Sequence, residues 1–462
     1  MKTGPASQQQ RRRIAIIGAG PCGLAAAKNT LAAGFETIVY EKGNRVGGNW
    51  VLDAKTGHSS VYENTHLISS KAWSEFEDFP MPDDYPEYPR HDLVLAYFEA
   101  YAQAFGVAKC IRFEEEVIKA SPLANGGWRV ETKGKRRKKN SEDFDALFVA
   151  NGHHNLPRWP KFEGKFTGQL LHSHDFKSVG ESWRGKNVLV IGGGNSAADV
   201  AVEAARVAKS VQLSMRSSQW FVPKFILGVP ADVFSAQTRF LPRIVKQYTT
   251  KWLLRLLQGR YSKFGLPDND VLPLSQHPTL NSDLLDYVRH GRIKPRPAVH
   301  KFEGKSVRFV DGTRQAFDII CCCTGFWMAT PFLDSSIAEF QNAGKVRLYR
   351  KMIPETAKNL YFVGFIQPLG CIWPLADYQA RLACAELSGK WSRPADLRGA
   401  IDYEIAHPHQ NYKAGLRHAT EVDYHRFRSE LGADLRRAGV EIGQSPAGRK
   451  GHYKLPPKIV AF

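Results

Sequence analysis

The chain has 462 residues, 43% hydrophobic and 11% aromatic, enough apolar material for two to three domains and too much for extensive disorder. Lys and Arg number 64 against 45 Asp and Glu, a formal charge of +19, which favours anionic partners such as nucleotide phosphates. No apolar run approaches the ~18 residues of a spanning helix. Seven cysteines, three of them adjacent at Cys321, Cys322 and Cys323, do not make a disulfide framework and fit a reducing cytoplasm.

Met1–Arg13 is polar and basic, so no secretory signal is expected. Ile14–Ile17 then reads as a buried parallel strand. The turn Gly18-Ala19-Gly20-Pro21-Cys22-Gly23 follows, with a helix over Leu24–Ala33 and a strand over Thr37–Tyr40 closing on Glu41 and Lys42. Gly18, Gly20 and Gly23 have the G-x-G-x-x-G spacing. Its glycines allow a tight turn, approach of backbone to a pyrophosphate, and close helix–strand packing, with the phosphate at the helix N-terminus. Glu41 at the second strand's end suits a ribose with free hydroxyls, so FAD or NAD is implied.

Ile111–Val149 alternates like a small antiparallel meander, and its basic run Lys133–Lys139 reads as a solvated hairpin. No nucleic-acid module accompanies it, so no nucleic-acid partner is expected. Asn155–Gly168 is rich in Pro and Gly. The first grammar then recurs: a strand over Val188–Ile191, the turn Gly192-Gly193-Gly194-Asn195-Ser196-Ala197, a helix over Ser196–Ala208 and a strand over Val211–Met215. This copy ends on Arg216 rather than a carboxylate, which suits a 2′-phosphate, so Gly192, Gly194, Asn195, Ser196 and Arg216 are expected to hold NADPH.

Thr238–Leu257 carries apolar residues at helical spacing and basic residues without an acid. It reads as a helix packed inside the protein or at a homodimer contact, or as a peripheral contact with an anionic membrane. Strands are expected at Asp318–Gly325 and Asn359–Gly364. The expected fold is α/β, with two Rossmann-like dinucleotide domains. The NADPH domain (181–317) is inserted into an FAD domain made of 1–180 and 318–462.

A chain holding both nucleotides is a disulfide reductase or a monooxygenase. No C-x-x-C or C-x4-C pair lies near the first turn, where Cys22 is alone, which disfavours the reductase. Phe166 to Phe176, with Gly168 and His172, matches F-x-G-x-x-x-H-x-x-x-(Y/F), and the chain thereby resembles the flavin-containing monooxygenases. Glu41 to Trp50 matches E-x5-G-G-x-W, Thr324-Gly325-Phe326 resembles the family's T-G-(Y/F), and Asn359–Gly364 with Gln367–Gly370 and Gln379–Arg381 resembles its C-terminal flavin-contacting segment.

The resemblance implies transfer of one oxygen atom from O2, through a flavin C4a-hydroperoxide, to a nitrogen- or sulfur-containing small molecule. It also adds Gly48, Asn49, Trp50, Thr324, Gly325 and Gln367 to the cofactor residues. Where the family carries an Asn near the reacting centre, this chain has Ile68, which cannot donate a hydrogen bond. His66 or Ser69 is expected to take that role, with Gln367 near the flavin ring. No residue is assigned to a metal. Two rivals stand beside this reading. One is Baeyer–Villiger oxygenation of a carbonyl compound, which Phe176 opposes because those enzymes usually carry Trp there; the other is a nucleotide-binding sensor or uncoupled NADPH oxidase.

Overall fold

The computed structural model describes residues 11–52, 57–135, 138–238, 241–269, 271–337, 340, 346–409 and 420–441. It opens with β1 (Arg13–Ile17), α1 (Pro21–Ala32) and β2 (Glu36–Glu41). Pro21 at the first helical position and the glycine turn before it explain where that helix starts. Helix α2 (His91–Ala104) precedes β3 (Ile111–Phe113). An antiparallel sheet of β4 (Glu116–Pro122), β5 (Trp128–Lys133) and β6 (Lys139–Phe144) follows, then β7 (Ala146–Val149).

The meander is therefore narrower than the expected 111–149. β3 and β7 leave it to pair in parallel with β2 and β1. Burial explains the split: Ala146–Val149 is an unbroken buried apolar run, as a strand covered on both faces requires, whereas β5 alternates buried and exposed. Of the basic run, Arg136 and Arg137 lie outside the described residues.

The middle of the chain supplies β8 (Gln169–His172), β9 (Asn187–Ile191), α3 (Asn195–Val207), β10 (Ser210–Ser214), α4 (Ala231–Gln237) and α5 (Arg243–Gln258). After β11 (Ile293–Arg296), the strands β12 (Val299–Glu303), β13 (Ser306–Phe309) and β14 (Arg314–Ala316) form a small antiparallel sheet. β15 (Ile319–Cys322), β16 (Leu360–Phe362), α6 (Trp373–Leu387), α7 (Leu397–Ala406) and α8 (Tyr424–Arg437) complete the labelled elements.

Two five-stranded sheets organise these elements, in the orders β16-β7-β1-β2-β3 and β11-β10-β9-β15-β8. Every pairing within both is parallel. Strand membership departs from the sequence boundaries at 180/181 and 317/318. β8 and β15, read as parts of the first unit, pair with each other and join the second sheet beside β9. Ile319–Cys322 is wholly buried, and its unbroken apolar run suits the interior of a covered sheet. The return to the first sheet comes later, at β16. Helix α1 lies against α6, where Lys28 forms a buried ion pair with Asp377 at 2.6 Å.

Candidate active site

At Gly18 and Gly23 the first glycine turn is shaped by backbone contacts that leave no room for a side chain. Gly18 sits at φ +101°, and a Cβ there would lie 2.7 Å from the Ala150 carbonyl oxygen. A Cβ on Gly48, at φ +53°, would lie 2.9 Å from the Cα of Gly20. The Gly48–Trp50 segment thus presses backbone to backbone on the turn. Gly20 caps α1 without a side-chain bond. Leu24 already donates to the Gly20 carbonyl and Pro21 has no N–H, so the amides of Cys22 and Gly23 remain for an anion.

Glu41 is buried at the end of β2 and accepts from the Ala19 and Gly43 amides, each at 2.7 Å. Each carboxylate oxygen keeps a second lone pair for a ribose hydroxyl. Asn151 follows Ala150 and donates to the Ala329 carbonyl, leaving its Oδ1 buried without a protein partner. A cradle that any Cβ would fill, a buried carboxylate with spare acceptor capacity and an orphaned amide oxygen together fit a dinucleotide. Lys42 is exposed. Burial pushes the Cys22 thiol up to about 12, so it is no thiolate at neutral pH.

The second turn repeats the design. Gly192 sits at φ +146°, and a Cβ would lie 2.3 Å from the Cys323 carbonyl oxygen. Gly194 caps α3 without a side-chain bond. The Asn195 side chain is occupied, accepting from the Leu280 amide at 2.8 Å, and Ser196 is half-buried at the helix start. Arg216 is exposed just beyond β10 and has no ion pair among the described residues.

Between the turns runs a chain of contacts. Asn49 Oδ1 accepts from the Ser60 amide at 2.8 Å, and the single Ser60 hydroxyl proton is shared between Asn49 Oδ1 at 2.8 Å and the His154 carbonyl at 3.0 Å. His153 Nε2 donates to Gln367 Oε1 at 3.4 Å, and burial lowers the pKa of this ring, keeping it neutral. His154 stands 5.3 Å from Phe326, which in turn stands 5.3 Å from His172. Thr324 Oγ1 donates to the Arg158 carbonyl at 2.6 Å, and the Gly325 carbonyl accepts from the Arg158 amide. Gln367, Asn49, Thr324 and Gly325 thus belong to one seam between the two sheets.

His66 and Ser69 share no hydrogen bond with Gln367. His66 is exposed and donates from Nδ1 to the Asn64 carbonyl; Ser69 is buried, its hydroxyl paired with Ser74 at 2.7 Å. Ile68 between them is 38% exposed. Sequence reasoning missed two anchors of this loop: Asp232 of α4, which accepts from the Ser70 amide at 2.6 Å, and Asp199 of α3, which accepts from the Tyr62 hydroxyl. The signal for Asp199 was a carboxylate, with Glu203 one turn on, interrupting an otherwise Ala- and Val-lined helix.

Comparison with known proteins decides the family. A family model described as flavin-binding monooxygenase-like matches residues 11–434. The chain belongs to that family. It is 35% identical to human flavin-containing monooxygenase 5 over 446 residues, covering 92% of this chain and 83% of that protein. It is equally 35% identical to the rabbit (Oryctolagus cuniculus) dimethylaniline monooxygenase [N-oxide-forming] 2, covering 94% and 83%. The S-allyl-L-cysteine S-oxygenase of Allium sativum has the same fold, with a TM-score of 0.68 and 24% identity over 94% of this chain and 90% of that one. This protein is accordingly an FAD- and NADPH-dependent monooxygenase.

Other residues of the enzyme fall into place as scaffold. His172 is fully buried at the end of β8, packed between Trp159 and Phe326, and burial pushes its ring down to about 4. Trp73 and Trp373 are buried in the main core, while Trp327 is half-buried beneath the Arg158 guanidinium. Cys321, Cys322 and Cys323 are buried.

Proposed function

We propose that this monooxygenase oxygenates nitrogen- or sulfur-containing small molecules, holding FAD at the Gly18–Gly23 turn and NADPH at the Gly192–Ser196 turn. The observation that carries the assignment is the opposite charge at the two strand ends. Glu41 is buried and bound to amides, whereas Arg216 is exposed and has no ion pair among the described residues. When bound, reduced FAD supplies the O2 chemistry. The protein's part is to bind and orient: the Cys22 and Gly23 amides face the pyrophosphate, Glu41 accepts from ribose, and Arg216 pairs with the 2′-phosphate. His153 Nε2 lies 3.4 Å from Gln367 Oε1, and burial, which lowers the pKa of the ring, favours its uncharged form, so the pair acts as a fixed wall beside the flavin ring. The substrate class is supported by the relative named for N-oxide formation.

Supplying an amine, a sulfide and a ketone side by side tests the reading. Amine or sulfide oxygenation in step with NADPH oxidation supports it. An ester from the ketone alone, or peroxide as the only product, would overturn it. Arg216→Ala should raise the NADPH half-saturation about 10-fold, the worth of one charge-assisted contact, and leave NADH unchanged. Steady-state titration with both coenzymes measures this.

The expected packing of 238–257 inside the chain holds only for one face of α5, where Gln247 and Leu254 are buried; Arg239 and Phe240 lie outside the described residues. Trp252 and Leu256 are 75% and 83% exposed, in line with half-exposed Ile244 and Tyr248. No helix among the described residues is long and apolar enough to cross a membrane. The proposed occupant of this stripe is an anionic lipid surface, reached from a reducing cytoplasm that suits seven free cysteines. Cosedimentation with anionic but not neutral vesicles is expected. A homodimer that covers Trp252 and leaves lipid unbound would rule this out.

A further inference from the structure

Helix α3 runs from the second glycine turn with a face of Ala and Val, interrupted by two carboxylates one turn apart, Asp199 and Glu203. A carboxylate on a buried face costs free energy unless donors meet it. Donors do meet both: Arg206 pairs with Glu203 at 3.0 Å from within the helix, and two of the remaining three donors come from a single segment of the first unit. The Tyr62 hydroxyl donates to Asp199 Oδ2, Asn281 Nδ2 donates to Oδ1 at 2.8 Å, and Asn64 Nδ2 donates to Glu203 Oε2 at 2.8 Å. Tyr62 is buried, with its ring 5.5 Å from Phe176 of the identifying motif.

The other end of that segment is fastened to the flavin-side turn. Ser59 Oγ donates to the Asn49 carbonyl, and Ser60 binds Asn49 Oδ1. Residues 59–64 therefore form a short strap, one end on Gly48–Trp50 and the other on α3, three residues after Ser196. The turn at the head of α3 is itself braced, because Thr279 Oγ1 donates to the Gly193 carbonyl at 2.8 Å and Asn195 accepts from Leu280. An apolar contact of the same area would hold the units together without fixing their register, whereas directional bonds to a buried carboxylate do both.

We propose that Tyr62 and Asp199 are positioning residues for electron transfer between the two nucleotides. Their bond, seconded by Asn64 and Glu203, sets the distance and angle of α3, and of the coenzyme at its N-terminus, relative to the flavin-side turn. This rests on the assignment of NADPH to the Gly192–Ser196 turn. A displacement of about 1 Å at a reacting centre costs up to ~100-fold in rate, so loss of the strap should register in reduction of the flavin far more than in binding.

Rapid mixing of flavin-loaded enzyme with NADPH under anaerobic conditions tests it. Tyr62→Phe and Asp199→Ala should each slow flavin reduction at saturating NADPH about 10-fold, with half-saturation moving less than about twofold. Asp199→Asn keeps an acceptor oxygen and should be milder than Asp199→Ala. The Tyr62→Phe/Asp199→Ala double variant should be no slower than the slower single one, as expected for two ends of one bond. In protein without added coenzyme, amide exchange at residues 63–65 and the first turn of α3 should quicken in Tyr62→Phe, while that at 18–23 stays unchanged.

Wild-type reduction rates in Tyr62→Phe and Asp199→Ala would overturn the proposal. So would rates lost only in proportion to flavin content or melting temperature. Arg216→Ala run alongside separates the two claims. Its failure to raise the NADPH half-saturation removes the coenzyme assignment, while the rate and exchange of Tyr62→Phe report on the strap.

Discussion

Gly23→Ala should yield colourless protein. A Cβ at this position would lie 1.9 Å from the Gly18 carbonyl oxygen, far inside any tolerable contact, and the obstructing atom is backbone that cannot rotate away. Either α1 moves off β1 or the Gly18 turn opens, and both displace the amides that face the pyrophosphate. Overpacking of this kind costs about 3 kcal/mol, a large share of the ~5–15 kcal/mol that holds a domain folded. Flavin content, read as visible over ultraviolet absorbance of the purified protein, should fall at least about 10-fold, since 1.4 kcal/mol already accounts for a factor of ten. Gly20→Ala makes the contrast. Its Cβ would meet the Gly48 Cα at 3.6 Å, an ordinary contact, so that variant should fold normally and lose only flavin affinity. Wild-type colour in Gly23→Ala would refute the geometry of the turn.

The second large effect is expected far from either turn. Arg350 pairs with Asp434 at 2.8 Å, Glu430 at 2.9 Å and Glu404 at 3.1 Å, tying the hairpin at 348–354 to α7 and α8. Arg350→Ala leaves three carboxylates crowded together, Glu404 and Glu430 half-buried and Asp434 buried, with Glu430 keeping Arg426 and Asp434 keeping Arg437, so the loss should fall at or below the lower end of the about 3–5 kcal/mol of a broken buried pair. The backbone adds information, because Arg350 and Lys351 both sit in the left-handed region, at φ +49° and +53°. Arg350→Gly loses the same ion pairs but relieves that strain, so it should be less destabilised than Arg350→Ala by a few tenths to about 1 kcal/mol. Urea unfolding of both variants measures the difference. Equal stability of Arg350→Ala and wild type would show that the three pairs contribute nothing. The disturbance should also reach the flavin turn, since Gln379 donates to the Arg350 carbonyl and accepts from the Gly364 amide, and Gly364 abuts Cys22.

The two nucleotide turns were legible because their chemistry is local: three glycines, a helix start and a strand end lie within about two dozen residues, and Gly18, Gly23 and Gly192 each face backbone that a side chain would strike. Strand membership was not. Ile319–Cys322 is an apolar run that either sheet would accept, and its place beside β9 depends on pairings more than a hundred residues away. The surroundings of the loop around Ile68 were hidden for a related reason. Ser69 looked available in sequence, but its hydroxyl is occupied by Ser74, a pairing that needs the turn at 71–74 to be known first. Tyr62 and Asp199, 137 positions apart, meet only once both units are assembled.

The pairing of β8 with β15 also bears on whether the coenzyme unit can be excised. A polypeptide trimmed to 181–317 would lack both strands, leaving the apolar flank of Asn187–Ile191 as a bare sheet margin prone to recruiting neighbouring molecules. Cuts placed ahead of Gln169 and beyond Cys322 would carry the whole sheet, so the margins at which this half could be excised are set by strand pairing rather than by the ends of the glycine-turn motif.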